Sequence, residues 1–187
     1  TLCGIGGHAI PGPVREARGR VYAAFDGCGF HCAQSVLRQL DGLRRVKPLL
    51  DAASAFLGGT SFTGMTCSAL TAGAMALGLR IGEIETNPWR VFRMVFLLLT
   101  GGPAFHDRVN RFNRAMNRGG ELAAWFTARF GSSQCREITG ADFSSMTDVE
   151  AYLRDDGITR CRRIADEVAG RVRFMLAEAA TRDGARG

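Results

Sequence analysis

The spacing of apolar residues along this chain is typical of helices. Apolar positions recur three and four residues apart, and no segment keeps up an alternation of apolar and polar residues. We therefore expect an all-α fold, a single-domain multi-helix bundle. Gly and Pro residues mark the ends of the elements. The predicted helices span 14–25, 31–43, 49–57, 67–78, 88–99, 103–116, 121–130, 148–154 and 159–180.

The same pattern divides the chain into one domain and two irregular ends. Residues 1–13 are rich in Gly and Pro, which predicts an irregular N-terminal arm. Residues 14–180 carry the helical pattern, and residues 181–187 are expected to form a flexible tail. A length of 187 residues is ordinary for one domain with a buried core.

One predicted helix has a face of very small residues. In "SFTGMTCSALTAGAMALGL", Thr66 is a candidate N-cap and Cys67 falls in the first helical turn. Small side chains then recur on one face, which lets another backbone approach closely. They are Ala69, Ala72, Gly73 and Ala76.

Composition narrows the protein class. Apolar residues make up 46% and charged residues 22%, as in an ordinary globular protein and not a disordered one. The longest apolar run, "VFRMVFLLLT", is interrupted by Arg93 and is about half of a membrane span, so no transmembrane segment is expected. The chain starts at Thr1 without a leader, so a cytoplasmic protein and one exported to the periplasm with its leader removed both fit.

Charge favours acidic partners. The net charge is +6, and Lys47 is the one basic residue that is not arginine. Residues Arg108, Arg111, Arg114 and Arg118 are predicted to share a basic helix face, for which a solvated surface is the commoner role. No helix-turn-helix or aromatic-basic motif accompanies it, so sequence-specific nucleic-acid binding is not expected.

Cysteines carry the most informative chemistry. Six of them, at 3, 28, 32, 67, 135 and 161, are too few for a disulfide-stapled miniprotein and many for inert thiols. Cys32, Cys67 and Cys161 are predicted in the first turns of helices, where unpaired N–H groups stabilise a thiolate. Thiolates that meet would suit a soft metal or an iron–sulfur cluster. Buried structural thiols explain the spacing equally well, because no local C-x-x-C clamp exists.

Four segments in order carry a family resemblance: "FHCAQSVL", "GMTCSALTAGAMALGL", "FGSSQCREITG" and "TRCRRIADEVA". Over residues 20–175 the chain resembles the redox-active proteins described by the pattern C_GCAxxG_C_C. The resemblance implies that Cys32, Cys67, Cys135 and Cys161 form the functional set. It also implies an all-helical bacterial or archaeal protein, often encoded near oxidoreductase or transporter genes and sometimes exported by a twin-arginine leader. The domain is similar to that of split-Soret cytochromes, which suggests electron transfer and an iron–sulfur site.

The chain departs from that family in three places. We interpret the segment from Cys67 onward as lacking two family glycines, with Ser68 and Ala72 in their places and a glycine only at Gly73. Residues 84–118 are interpreted as a family-atypical insertion. Cys3 and Cys28 are additional to the four cysteines.

Together these patterns predict an electron-transfer protein. Cys32, Cys67, Cys135 and Cys161 are the predicted ligands of a [2Fe–2S] or [4Fe–4S] cluster, with Cys28, His31 and Cys3 as additional candidates. The protein is expected to relay electrons to a redox partner or an oxidoreductase complex, and not to transform a substrate itself. No C-x-x-C-H run occurs, so covalent c-type haem is not expected.

Two other functions stay open at this point. One is a metal-free thiol–disulfide protein in which Cys28 or Cys32 attacks and another cysteine resolves. The other is a structural zinc or interaction module whose basic face docks an acidic partner. The apolar residues around Phe92 and Phe96 are predicted to fill either the core or a homodimer interface.

Overall fold

The structure is a computed structural model. It describes residues 10–40, 42, 47–82, 88–100 and 114–184. These residues contain α-helices and no strand, apart from one isolated antiparallel bridge between Thr66 and Gln134. The all-α prediction is therefore confirmed. The helices are α1 (Gly12–Gly27), α2 (Cys32–Arg38), α3 (Lys47–Ala52) with a 3-10 turn (Ala53–Ala55), α4 (Ser68–Ile81), α5 (Pro88–Thr100), α6 (Arg114–Phe130), α7 (Cys135–Thr139), α8 (Met146–Arg154) and α9 (Gly157–Gly184).

Helix α4 lies at the centre of the bundle and packs against α2, α6 and α9. Its small face is buried, as the sequence predicted. At Gly73 an added Cβ would lie 2.8 Å from Leu122 Cδ2 and 3.0 Å from Val168 Cγ1, so the absence of a side chain is what lets α6 and α9 come this close.

Helix α9 closes the bundle with one apolar face. Ile164, Val168, Val172 and Met175 are buried on it, in agreement with their predicted helical spacing. The helix begins at Gly157, a residue predicted to interrupt the chain and not to start a helix. A Cβ at Gly157 would lie 2.1 Å from the ring of Tyr152, so the chain can turn from α8 into α9 only with glycine here.

Several predicted boundaries differ from the structure. Helix α6 runs without a break through Gly119 and Gly120, where two helices were expected. Burial of Leu122 and Phe126 outweighs the roughly 1 kcal/mol that each helical glycine costs. The predicted helix over 103–116 lies mostly outside the described residues. Helix α8 begins at Met146, two residues before its predicted start, and is capped by Ser145, whose hydroxyl accepts from the N–H of Asp148.

Helix α5 exposes most of its described apolar side chains. Phe92 is 59% exposed and Phe96 is 57% exposed, so the prediction that they fill the core of this chain is wrong. The other exposed large apolar residues of α5 are Trp89, Val91, Val95 and Leu99. Among the described residues no helix combines the length and apolar character needed to cross a membrane, as expected.

Candidate functional site

All four cysteines of the predicted set line one pocket. Cys32 is the first residue of α2, Cys67 is the N-cap of α4, Cys135 is the first residue of α7, and Cys161 lies one turn inside α9. The pocket is narrow, with about 10 Å³ open to the centre of a water molecule. Its remaining walls are Gly58, Gly59, Ser68, Ala69, Ile138, Thr139 and Ile164.

Hydroxyl groups in the pocket wall already have partners. The Oγ of Ser68 accepts from the backbone N–H of Gly59 at 3.2 Å, and the Oγ1 of Thr139 donates to the carbonyl of Cys135 at 2.8 Å. Because the other walls are apolar or lack side chains, the sulfur atoms are the groups through which this pocket can bind or react.

A short backbone bridge holds two of the cysteines side by side. The N–H of Cys67 donates to the carbonyl of Ser133 at 2.8 Å, and the N–H of Cys135 donates to the carbonyl of Met65 at 2.7 Å. Thr66 therefore belongs to the bridge and does not cap α4, and Cys67 is the N-cap residue instead of a residue of the first turn. Helix α7 begins at Cys135, in a part of the chain where no helix was predicted.

The loop before this bridge contributes Gly58 and Gly59 to the wall of the pocket. From the sequence, this loop was expected only to follow the end of a helix. Backbone φ is positive at Gly58, Gly59 and Gly64, and also at the three residues Thr60, Ser61 and Phe62. A Cβ at Gly59 would lie 2.6 Å from the Met65 carbonyl oxygen and 3.0 Å from Cys135 Cβ. The signal in the sequence was the pair of adjacent glycines, because a left-handed turn and a close approach both favour glycine.

Cys161 has the most favourable surroundings for a negative charge. The pKa of Cys161 is lowered, first because the Cys32 thiol donates a hydrogen bond to its sulfur, and burial opposes this effect. The hydroxyl of Tyr152 lies 3.2 Å from the same sulfur, and the guanidinium of Arg160 adds positive charge nearby. The same hydrogen bond, together with burial, raises the pKa of Cys32.

Burial is the main influence on the pKa values of the other two thiols, those of Cys67 and Cys135. It raises the pKa of Cys67 to about 11, although the backbone N–H groups of Ala69 and Leu70 act in the opposite direction. It also raises the pKa of Cys135 well above its ordinary value. The predicted effect of a helix terminus is thus present at Cys67, but desolvation outweighs it. Cys161, predicted in a first turn, owes its lowered pKa to side-chain hydrogen bonds and not to a helix end.

The additional candidates lie away from the pocket. His31 caps α2: its Nδ1 accepts from the N–H of Gln34 at 3.4 Å, and its Nε2 lies 3.0 Å from the carbonyl of Ser54. Both ring nitrogens are therefore engaged, in a structural role. Cys28 is exposed and does not line the pocket. Cys3 lies outside the described residues.

Arg118 does not belong to a solvated basic face. Its side chain is 11% exposed and pairs with Glu121 at 2.6 Å and Glu178 at 3.5 Å, which ties α6 to α9. The prediction of a solvated basic helix face is therefore wrong at Arg118. Arg108 and Arg111 lie outside the described residues.

The side chains that line the pocket determine which kind of metal centre it could hold. Within the part of the chain that the structure describes, no group of three or more His, Cys, Asp or Glu side chains is placed to hold a single metal ion. Four cysteine sulfurs on one pocket are the usual ligand set of an iron–sulfur cluster, which spreads its ligands around several irons. By donor type, the residues fit such a cluster.

A family model matches most of the chain. The family model described as "Putative redox-active protein (C_GCAxxG_C_C)" matches residues 30–175. Its pattern puts Gly before the second cysteine and Ala after it, so the departures fall at Thr66, Ser68 and Thr71, and not at Ser68 and Ala72 as interpreted above. No curated protein and no solved structure matches the chain. Because the family model covers most of its length, the chain belongs to the C_GCAxxG_C_C family of redox-active proteins.

Proposed function

We propose that Cys32, Cys67, Cys135 and Cys161 hold an iron–sulfur cluster and that the protein passes single electrons to and from a redox partner. The observation that carries the proposal is that four cysteines from four different helices line one pocket. Exposed Cys28 is outside this set. A cluster bound there would supply one-electron chemistry, at a low potential unless hydrogen bonds or burial raise it.

The thiol environments determine how metal ligation would depend on pH. Cys67 and Cys135 are buried, and the pKa of each is raised, so they hold their protons in the metal-free protein at neutral pH. A cationic metal centre stabilises thiolates and displaces those protons. Loading is therefore expected to release protons and to weaken as the pH falls.

Access to the pocket is uneven, which suits electron relay. Cys32, Cys67 and Cys135 are buried, whereas Cys161 is half-buried. The buried sulfurs keep water away from most of the site. Cys161 marks the side on which a partner redox protein would come closest.

Anaerobic purification followed by iron and acid-labile sulfide analysis tests the proposal. Wild-type protein is expected to carry both and to show charge-transfer absorption in the visible range. Cys67→Ser should lose the iron and the colour, and Cys28→Ser, a matched change at an exposed cysteine outside the pocket, should keep both. Full iron content in Cys67→Ser would contradict the assignment, as would stoichiometric zinc in the wild type.

A second candidate function rests on Cys32 and Cys161 lining the same pocket, with the pKa of Cys161 lowered by its Cys32 neighbour. As a thiol–disulfide protein, the Cys161 thiolate would attack the disulfide of an oxidised partner and release one partner thiolate. Cys32 would then lose its proton and attack the Cys161 sulfur, which forms the intramolecular disulfide and releases the second partner thiol. Cys28 is outside the pocket, so it has no place in this step.

Cys135→Ser distinguishes the two functions. It removes a cluster ligand and leaves the Cys32–Cys161 pair in place. Loss of iron together with loss of redox cycling supports the cluster. Continued exchange with a small disulfide, with a Cys32–Cys161 bond found by peptide mapping, supports the dithiol.

A further inference from the structure

Tyr152 is a buried residue whose hydroxyl contacts Cys161, one of the four cysteines of the pocket. The side chain is 3% exposed, and its oxygen lies 3.2 Å from Cys161 Sγ. This places a phenol in contact with one of the sulfurs that line the pocket.

Packing fixes the Tyr152 ring in this position. It stacks on Phe25 with ring centroids 6.3 Å apart and planes at 11°, and Phe143 meets it edge-on at 5.3 Å. On a third side, Gly157 leaves space that any side chain would fill. A ring held on several sides cannot easily move its hydroxyl away from the sulfur.

The direction of the hydrogen bond follows from the two groups. A phenol is a good O–H donor, whereas S–H is a weak donor. A thiolate or a cysteine bound to metal has no proton to give, so it can only accept. Hydrogen bonds to ligand sulfurs are among the factors that set the potential of an iron–sulfur cluster.

We propose that Tyr152 is a positioning residue whose hydroxyl donates to Cys161 Sγ, orients that sulfur in the pocket and raises the reduction potential of the centre it ligates. The effect on potential rests on the proposed function, but the hydrogen bond itself does not. Reduction adds negative charge to a cluster, and a donor on a ligand sulfur stabilises the more negative state. Removing the donor therefore lowers the potential.

A potential measurement tests the functional half. Tyr152→Phe keeps the ring and removes the hydroxyl, and it is expected to shift the one-electron equilibrium toward the oxidised state about tenfold, which corresponds to about 59 mV. Tyr22→Phe is the matched control, because Tyr22 is exposed and the chain has just these two tyrosines. An unchanged potential in Tyr152→Phe, or an equal shift in both variants, would overturn the proposal.

A spectroscopic measurement on metal-free reduced protein tests the hydrogen bond separately. Tyr22→Phe protein contains Tyr152 as its one tyrosine, so the Raman doublet of the phenol ring reports this hydroxyl alone. A doublet typical of a donating hydroxyl is expected, and one typical of an accepting or free hydroxyl would refute the contact even if Tyr152→Phe failed to fold. If wild-type protein binds no cluster, the proposed function and the effect on potential both fall, while the Raman result still decides the hydrogen bond.

Discussion

The backbone N–H of Cys135 donates to the carbonyl oxygen of Met65 at 2.7 Å. With the neighbouring bond from Cys67 to Ser133, it holds two candidate ligands at a fixed separation before any cofactor binds. Gly59 lies directly against this bridge. The position of the bridge therefore depends on a residue that contributes no side chain.

Gly59→Ala is expected to destabilise the protein by more than Gly140→Ala. Both glycines have nearly the same left-handed φ, +65° and +67°, so both changes carry about 1–2 kcal/mol of backbone strain. At Gly140 a Cβ would meet nothing within 4 Å, whereas at Gly59 it meets the backbone of Met65 and Cys135 Cβ. Urea denaturation of both variants measures the difference. Equal losses in free energy of unfolding would show that the bridge tolerates displacement.

Two glycines of α4 are expected to respond in opposite directions to alanine. Gly73→Ala should destabilise by about 1–3 kcal/mol, because its Cβ would overlap Leu122 and Val168. Gly78→Ala should stabilise by up to about 1 kcal/mol, because its Cβ meets nothing within 4 Å and alanine favours a helix. Thermal melts of the two variants give the signs. Stabilisation by Gly73→Ala would contradict the close packing of α4.

Stability of the metal-free, reduced protein is expected to fall in alkali because of Cys67. Its folded pKa is about 11 against an ordinary value of 9.0, so the unfolded chain ionises this thiol first. The contribution, about 2–3 kcal/mol at 1.36 kcal/mol per pKa unit, is present below pH 9 and is lost as the pH rises toward 11. The profile of Cys67→Ser, subtracted from that of the wild type, isolates this contribution from other groups that titrate there. Parallel profiles would contradict it.

Phenylalanines of α5 and α6 are expected to differ sharply in their contributions to stability. Phe126→Ala should cost about 3–5 kcal/mol, because Phe126 is fully buried. Phe96→Ala should change the free energy of unfolding by less than about 0.5 kcal/mol, because Phe96 is 57% exposed. Denaturation at low and high protein concentration measures both. A large cost for Phe96→Ala that grows with concentration would show that this face is covered by a second copy.

The periodicity of apolar and small residues predicted those features of the fold that depend on a single helix face. The apolar spacing from Ile164 to Met175 gave the buried face of α9, and the small residues around Gly73 gave the close contact of α4. Both are properties of a single helix face, so the sequence displays them directly. Phe92 and Phe96 show where this fails, since an apolar helix face predicts burial but does not identify what covers it.

The sequence singled out the four cysteines that line the pocket, but it did not predict the arrangement of the residues around them. Four segments in order identified Cys32, Cys67, Cys135 and Cys161, but their surroundings come from residues distant in the chain. Tyr152 carries no sequence signal for its contact with Cys161, because the packing of α8 against α1 decides it. At Cys67 the expected effect of the helix terminus is present, but desolvation, which depends on the folded surroundings, is larger.

Because the four cysteines belong to helices α2, α4, α7 and α9, the pocket is completed late during synthesis. A chain emerging from its N-terminus presents three of these thiols before the segment that carries Cys161 has been made. Only docking of α9 brings the fourth sulfur to the others and into contact with the hydroxyl of Tyr152 on α8. A nascent chain therefore exposes an incomplete set of these thiols until its last helix has folded into place.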